Sequence, residues 1–308
     1  YLFLTVFLMG IGNSLFWPTA TAFVQEIVSD DEYFNANALL SASYQTGSIL
    51  GAGLGGLVVH SFGVEFALTI NICTYFISSL FIAGAPFIYK RNHHESEKII
   101  EAISKGFRFL KNEKGLLVFG LTSILADVAI WGSLTVLTIS ISKLIFNAGS
   151  WGYGVMDGFY GVGALMSTLT SGYVLSKMKK QYFLLTCFIL AGLMCILAPV
   201  SPSLWVASFA YLIMGLSNNS ARITVRTVMM ELVSNKIMGR VQTLFGMYTR
   251  VFVILSSLIA GYLVENYSIL SGMVFSMIHF LGAAVGVLVI ISSYEFRKVL
   301  LPQEIKIK

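Results

Sequence analysis

The sequence predicts an all-α membrane protein built from two like halves, and three observations carry that prediction. The 308-residue chain is 56% hydrophobic and only 11% charged, against roughly 25% charged in a soluble domain, and its mean hydropathy is +0.80. Its apolar residues fall in long runs that reach the length, about 20 residues, needed to cross the hydrocarbon core as helix. Residues 9–59 also return, without a gap, 205 positions later. Met9, Gly10, Asn13, Thr19, Glu26, Val28, Ser29 and Gly56 match Met214, Gly215, Asn218, Thr224, Glu231, Val233, Ser234 and Gly261. Aliphatic matches alone would carry little weight in an apolar chain. Polar and glycine matches at one fixed offset carry more, and a parallel repeat of this length points to two related bundles with a site between them.

The apolar runs predict nine spans, near 2–28, 37–60, 65–88, 115–142, 151–175, 181–199, 203–230, 241–264 and 269–293. Most exceed the minimum length, so tilt and protruding ends are expected. The remaining stretch, 89–114, is amphipathic. Ile99, Ile100, Ile103, Phe107 and Leu110 recur at helical spacing, with Glu and Lys/Arg on the other face. It is expected to lie along the membrane surface and tie the halves together. Adjacent His93 and His94 point to different sides of such a helix and do not form a metal site.

The charges orient the chain. Of 20 Lys and Arg, 16 fall in 90–114, 177–180, 236–240 and the tail, all on one side under nine-span alternation. The turns on the other side hold only Lys143. The positive-inside rule therefore puts the 89–114 segment and the C-terminal tail in the cytoplasm. The net charge of +5 is accounted for by this asymmetry and calls for no nucleic-acid partner. Cys73, Cys187 and Cys195 lie inside apolar runs and read as small buried hydrophobes.

Residues 115–199 make three spans ahead of the second copy, and their counterparts in the first half would precede Tyr1. The expectation is a twelve-helix parent of which nine helices are present. The organisation read from this is 1–88 as the remainder of the first half, 89–114 as cytoplasmic linker, 115–294 as second half and 295–308 as cytoplasmic tail.

Ionisable residues at membrane depth cost on the order of 3 kcal/mol each and need a reason. Asp127 falls midway through its span, Asp157 in the outer third of its own, and Arg250 about ten residues into 241–264. Arg222 and Arg226 lie toward the cytoplasmic end of 203–230, where Arg226 can snorkel to the surface. Glu26 and Glu231 end the paired repeat helices and read as gate or hinge anchors, or as solvated helix ends. Gly47, Gly51 and Gly55 sit four apart on one helix face, the spacing that lets two backbones approach closely, and Gly154, Gly158, Gly161 and Gly163 make a similar flexible or closely packed face in 151–175.

Three stretches carry a family resemblance: Pro18 to Val28, Asn35 to Leu40, and Gly47 to Gly56. They resemble the fourth and fifth helices of the major facilitator superfamily, and in particular its branch of macrolide-efflux and enterobactin-export proteins. Ile103 to Asn112 resembles that branch's central-loop helix. The resemblance implies the major facilitator fold, helices four to twelve, with Gly47, Gly51, Gly55 and Gly56 as an antiporter-like motif. The motif is altered, with Gly51-Ala52 where Gly-Pro is usual. It also implies that helices seven and eleven border the cavity, which makes Asp127 and Arg250 the expected interior pair, with Asp157 and Arg222 as the further candidates for proton coupling.

An acid released from an Arg takes a proton far more readily, so such a pair could couple proton flow to transport; the alternative is a static ion pair. Phe16, Trp17, Tyr44, Trp131, Tyr160, Asn218, Asn219 and Tyr248 are the expected cavity residues, suited to a bulky amphipathic ligand. The function implied is secondary active, proton-coupled efflux of a small amphipathic drug or siderophore by a plasma-membrane monomer. Uptake symport on the same fold, or a membrane sensor without transport, stays open. No cofactor is expected. A Walker A sequence, clustered His and metal-ligand spacings within spans are missing from the sequence, so neither a membrane enzyme nor an intrinsic ATP-driven pump is expected.

Overall fold

The structure is a computed structural model that describes residues 2–84 and 99–293. Within them the chain is helical throughout: α1 Leu2–Ile27, α2 Tyr33–Ala83, α3 Ile99–Asn112, α4 Lys114–Val128, α5 Leu134–Leu144, α6 Gly149–Lys177, α7 Lys180–Leu197, α8 Leu204–Leu232, α9 Asn235–Asn266 and α10 Ile269–Ser292. Helices are the expected answer to the bilayer, because every backbone polar group is then satisfied inside its own segment. His93, His94 and the C-terminal tail lie outside the described residues.

The repeat is visible in the helix ends. α1 ends at Ile27 and α8 at Leu232, 205 positions on. Ser29 and Ser234, again 205 apart, are both extended N-cap residues that open the next helical segment. At the first copy Glu32 turns back to accept from the Ser29 backbone N–H and hydroxyl, at 3.3 and 2.8 Å. This capping box satisfies a helix start that would otherwise leave orphan donors. The acidic 29–36 bend therefore has a structural use.

Two expected spans, 37–60 and 65–88, run on as one helical element, α2, broken at Gly63 with φ +84°. Only glycine adopts that conformation without a Cβ penalty. One expected span, 115–142, is interrupted instead: a π-turn at Ala129–Ser133 separates α4 from α5. Within it, Gly132 lets α9 come close, since a methyl there would sit 2.9 Å from the Ser256 Cβ and the Val253 carbonyl oxygen. Such turns are frequent at functional sites.

The second half packs as one core. Phe119, Met156, Phe188, Met214, Met273 and Phe280 are essentially buried at its centre. Hydroxyl pairs stitch its helices: Ser133 with Ser276 at 2.6 Å, and Thr138 with Tyr211 at 2.8 Å. The amphipathic α3 packs on α4 and α9, burying Leu110 and leaving Phe107 exposed.

The halves meet in a pattern that itself obeys the repeat. α1 packs on α9, and α2 packs on α8 and α6. Exchanging the two repeats turns the α1–α9 contact into α8–α2, which is what a two-fold pseudo-axis requires.

Of the two glycine faces that the spacing offered, the close seam lies on the one that holds Gly163 and not on the one that holds Gly47 and Gly51. A Cβ on Gly47 or Gly51 would meet open space, while one on Gly163 would overlap the Leu212 backbone and one on Gly215 the Tyr160 backbone. The surroundings of Gly55 and Gly56 lie outside the described residues. Close backbone approach thus belongs to α6 against α8, inside the second half, and Gly154 and Gly158 take no part in it. Gly163→Leu is expected to destabilise the protein by about 3 kcal/mol. Gly47→Ala should be neutral or gain up to about 1 kcal/mol of helix propensity. Thermal unfolding midpoints in detergent check both, and an equal loss in the two variants would contradict this placement.

Candidate functional site

A cavity of about 510 Å³ opens between α1, α4 with its π-turn, α8 and α9, and Tyr44 of α2 adds to its wall. Both repeats frame it from equivalent positions. Trp17 and Thr21 of α1 line one side, and Arg222 and Arg226 of α8, each 205 positions on, line the other. Pro18 stands within α1 at the same wall, where its missing N–H frees a backbone carbonyl one turn earlier.

Three charged side chains organise the interior. The Arg222 Nε lies 3.6 Å from the Asp127 Oδ1, both side chains being only part-exposed. The same guanidinium stands 5.7 Å from the Trp131 ring centre, and that of Arg226 stands 5.3 Å from the Trp17 ring. Both distances are within cation–π range. Trp17 is in turn held edge-on by Phe16 and Tyr44, each with ring centres 5.4 Å away. Arg222 and Arg226 are four apart on α8 and so share a face. Asp127 sits on α4 two residues before the π-turn that carries Trp131.

Several expectations need correction here. The partner of Asp127 is Arg222, not Arg250; Arg250 lines the same cavity but is exposed. Arg226 does not snorkel away but lines the cavity against Trp17. Asp157 is exposed on α6 and outside the cavity lining.

Of the eight expected cavity residues, Trp17, Tyr44 and Trp131 line it, while Phe16 only buttresses Trp17 and Tyr248 is exposed outside the lining. Tyr160, Asn218 and Asn219 belong to a buried polar seam. Asn218 donates to the Tyr160 hydroxyl at 2.9 Å. Asn219 donates to the Ala164 carbonyl and the Ser167 hydroxyl, and accepts from Ser41 of α2 at 2.8 Å. These amides hold helices together.

The acidic gate is also relocated. Glu231 accepts from the Lys180 ammonium through both carboxylate oxygens at 2.7 Å, which fastens α8 to α7 within one half. Glu26 is exposed at the end of α1. The bridge between halves at this end is Gln25, which sequence reasoning missed. Its Nε2 donates to the Met230 and Val233 carbonyls at 3.0 and 2.7 Å. Residues 25 and 230 are repeat equivalents, so the contact lies beside the pseudo-axis. Asn37 adds a bond to the Met230 sulfur at 3.0 Å, and Asn235 one to the Ala22 carbonyl at 3.2 Å. The signal was available in the repeat, because equivalent residues near the axis must meet.

Among the described residues no group of His, Cys, Asp and Glu could hold a metal ion. His279 is tied to the Phe275 carbonyl at 2.8 Å and meets the Phe275 ring edge-on, outside the cavity lining.

Comparisons with known proteins agree with this architecture. The chain is 25% identical over 190 residues to an uncharacterized MFS-type transporter, YfmI, of Bacillus subtilis (strain 168), a match covering 58% of this chain and 44% of that protein. It is 25% identical over 231 residues to the multidrug resistance protein MdtG of Citrobacter koseri, covering 73% of this chain and 56% of that one. The chain thus spans about half the length of the curated relatives it matches. Its fold is similar to that of a bacterial homologue of the iron transporter ferroportin, crystallised in an outward-facing state. The TM-score there is 0.64 at 15% identity, over 86% of this chain and 65% of that one. The sequence profile of the Major Facilitator Superfamily matches residues 1–251. The chain belongs to the Major Facilitator Superfamily, a superfamily of multi-pass membrane transporters rather than enzymes.

Proposed function

We propose that the chain is the working part of a secondary active exporter that moves a small amphipathic compound by alternating access, driven by inward proton movement. The observation that carries this reading is the Asp127–Arg222 pair, held inside a cavity that both repeats frame. A carboxylate and a guanidinium at that depth need a reason, and a pair that separates when the halves rock supplies one. The bonds of Gln25 at the Lys/Arg-rich end support a state closed on that side. The positive-inside rule makes that side cytoplasmic, so the state would face outward, with the C-terminus in the cytoplasm.

The halves are then 1–88 and 115–294, joined by 89–114 and acting as a monomer. Export, rather than uptake, is supported by relatives named multidrug resistance proteins and by the resemblance to macrolide-efflux and enterobactin-export proteins. Everted membrane vesicles energised to an acid interior should accumulate fluorescent amphipathic compounds, and a protonophore should release them. Proton-driven accumulation in right-side-out vesicles would overturn export in favour of uptake.

A further inference from the structure

We infer that the cavity takes an organic anion, a carboxylate, sulfonate or phosphate monoester on a flat apolar body, in preference to the lipophilic cations common among drugs. This deepens the transport reading above and rests on it. Arg222, Arg226 and Arg250 line the cavity, and Asp127 is the only acidic residue among the described residues that do so. Asp127 is engaged with Arg222. Among the described residues, no carboxylate lies within ion-pair distance of Arg226 or Arg250. A guanidinium stays charged at any accessible pH, so the side chains lining the cavity carry two more positive than negative charges.

The aromatic rings point the same way. Indole faces bind ligand cations through their quadrupole, but here each ring already has a protein cation beside it, Arg226 at Trp17 and Arg222 at Trp131. A cationic ligand would lose that attraction and meet like charge. An anion instead finds planar donor forks, the geometry that pairs with carboxylate, sulfonate and phosphate oxygens. Val225, Phe245 and Val253 supply apolar wall for the rest of the molecule.

The test uses the full protein in lipid nanodiscs with anilinonaphthalene sulfonate and its uncharged parent, phenylnaphthylamine, corrected for empty discs. The sulfonate should bind at least tenfold more tightly, a difference of about 1.4 kcal/mol. The double variant R226Q/R250Q should erase that advantage by weakening the sulfonate far more than phenylnaphthylamine, and an unchanged thermal unfolding midpoint reports that the variant folds. The R226K/R250K variant should restore part of the advantage. Tetraphenylphosphonium should fail to displace the sulfonate. Displacement by tetraphenylphosphonium, or unchanged sulfonate affinity in R226Q/R250Q, would overturn the inference.

Flux separates this from the parent reading. Arginine-dependent sulfonate binding without proton-driven accumulation in everted vesicles would uphold the anion site and contradict transport. Proton-driven accumulation of tetraphenylphosphonium without arginine-dependent sulfonate binding would uphold transport and overturn the anion site.

Discussion

Asp127→Asn is expected to reduce proton-driven accumulation in everted vesicles to the level of vesicles lacking the protein, a loss of roughly 100-fold or more on the scale set by removing a proton-transfer group. Asn has the shape of Asp but carries neither the charge that holds Arg222 nor a proton that can be taken up and released. Arg222 stands 3.6 Å from that carboxylate, so the variant leaves its guanidinium without the counter-charge it has in the native protein. Binding of anilinonaphthalene sulfonate should persist or tighten, because the cavity becomes more positive. That split distinguishes a coupling defect from misfolding, which would remove both. Asp127→Glu keeps the charge on a longer arm and should retain measurable flux. Normal proton-driven flux in Asp127→Asn would remove Asp127 from the coupling role.

The second large effect is expected at Gln25, which no reading of the sequence alone selected. Its amide donates to two carbonyls at the end of α8, across the interface between the halves. At about 1 kcal/mol per hydrogen bond, Gln25→Leu removes roughly 2 kcal/mol from the closed arrangement. That corresponds to a shift of roughly 30-fold between the two access states. Gln25→Glu should act more strongly still, because it points an acceptor at two acceptors. The readout is alkylation of a cysteine at Thr21, which lines the cavity, by a membrane-impermeant maleimide. The reagent is applied from the Lys/Arg-rich side in a background lacking Cys73, Cys187 and Cys195. The rate should rise in Gln25→Leu by about the same factor. An unchanged rate would mean that these bonds do not hold that side shut.

The architecture was legible in the sequence because both of its signals are one-dimensional. Run length gives the helices, and a fixed offset gives the symmetry, down to the matched ends at Ile27 and Leu232 and the matched caps at Ser29 and Ser234. The site was only half legible, because a sequence gives a residue's depth along a helix and not the helix's rotation. Asp127, Arg222 and Arg250 all read as lying within the membrane, yet only the packing of α8 beside α4 decides that Arg222 is the partner.

The same limit explains the glycines. Spacing put Gly47 and Gly51 on one face but could not say what faces them, whereas Gly163 and Gly215 meet a neighbouring backbone. The π-turn at Ala129–Ser133 had no signal in hydropathy, because inserting one residue into a helical turn leaves composition unchanged. Arg226 could have been found: it is one turn from Arg222, and its repeat equivalent, Thr21, lines the same cavity.

The central claim, that the two bundles tilt about the pseudo-axis beside Gln25 and Met230, is tested most directly by a distance. Spin labels at positions 26 and 231, repeat equivalents at the ends of α1 and α8, report the separation of the halves at the Lys/Arg-rich side. Pulsed electron resonance in nanodiscs should give a short distance under conditions that favour the closed state. A second, longer population should appear and grow with Gln25→Leu or with a saturating anionic probe. A single unchanged distance across the wild-type protein, Gln25→Leu and the probe-bound state would contradict the account.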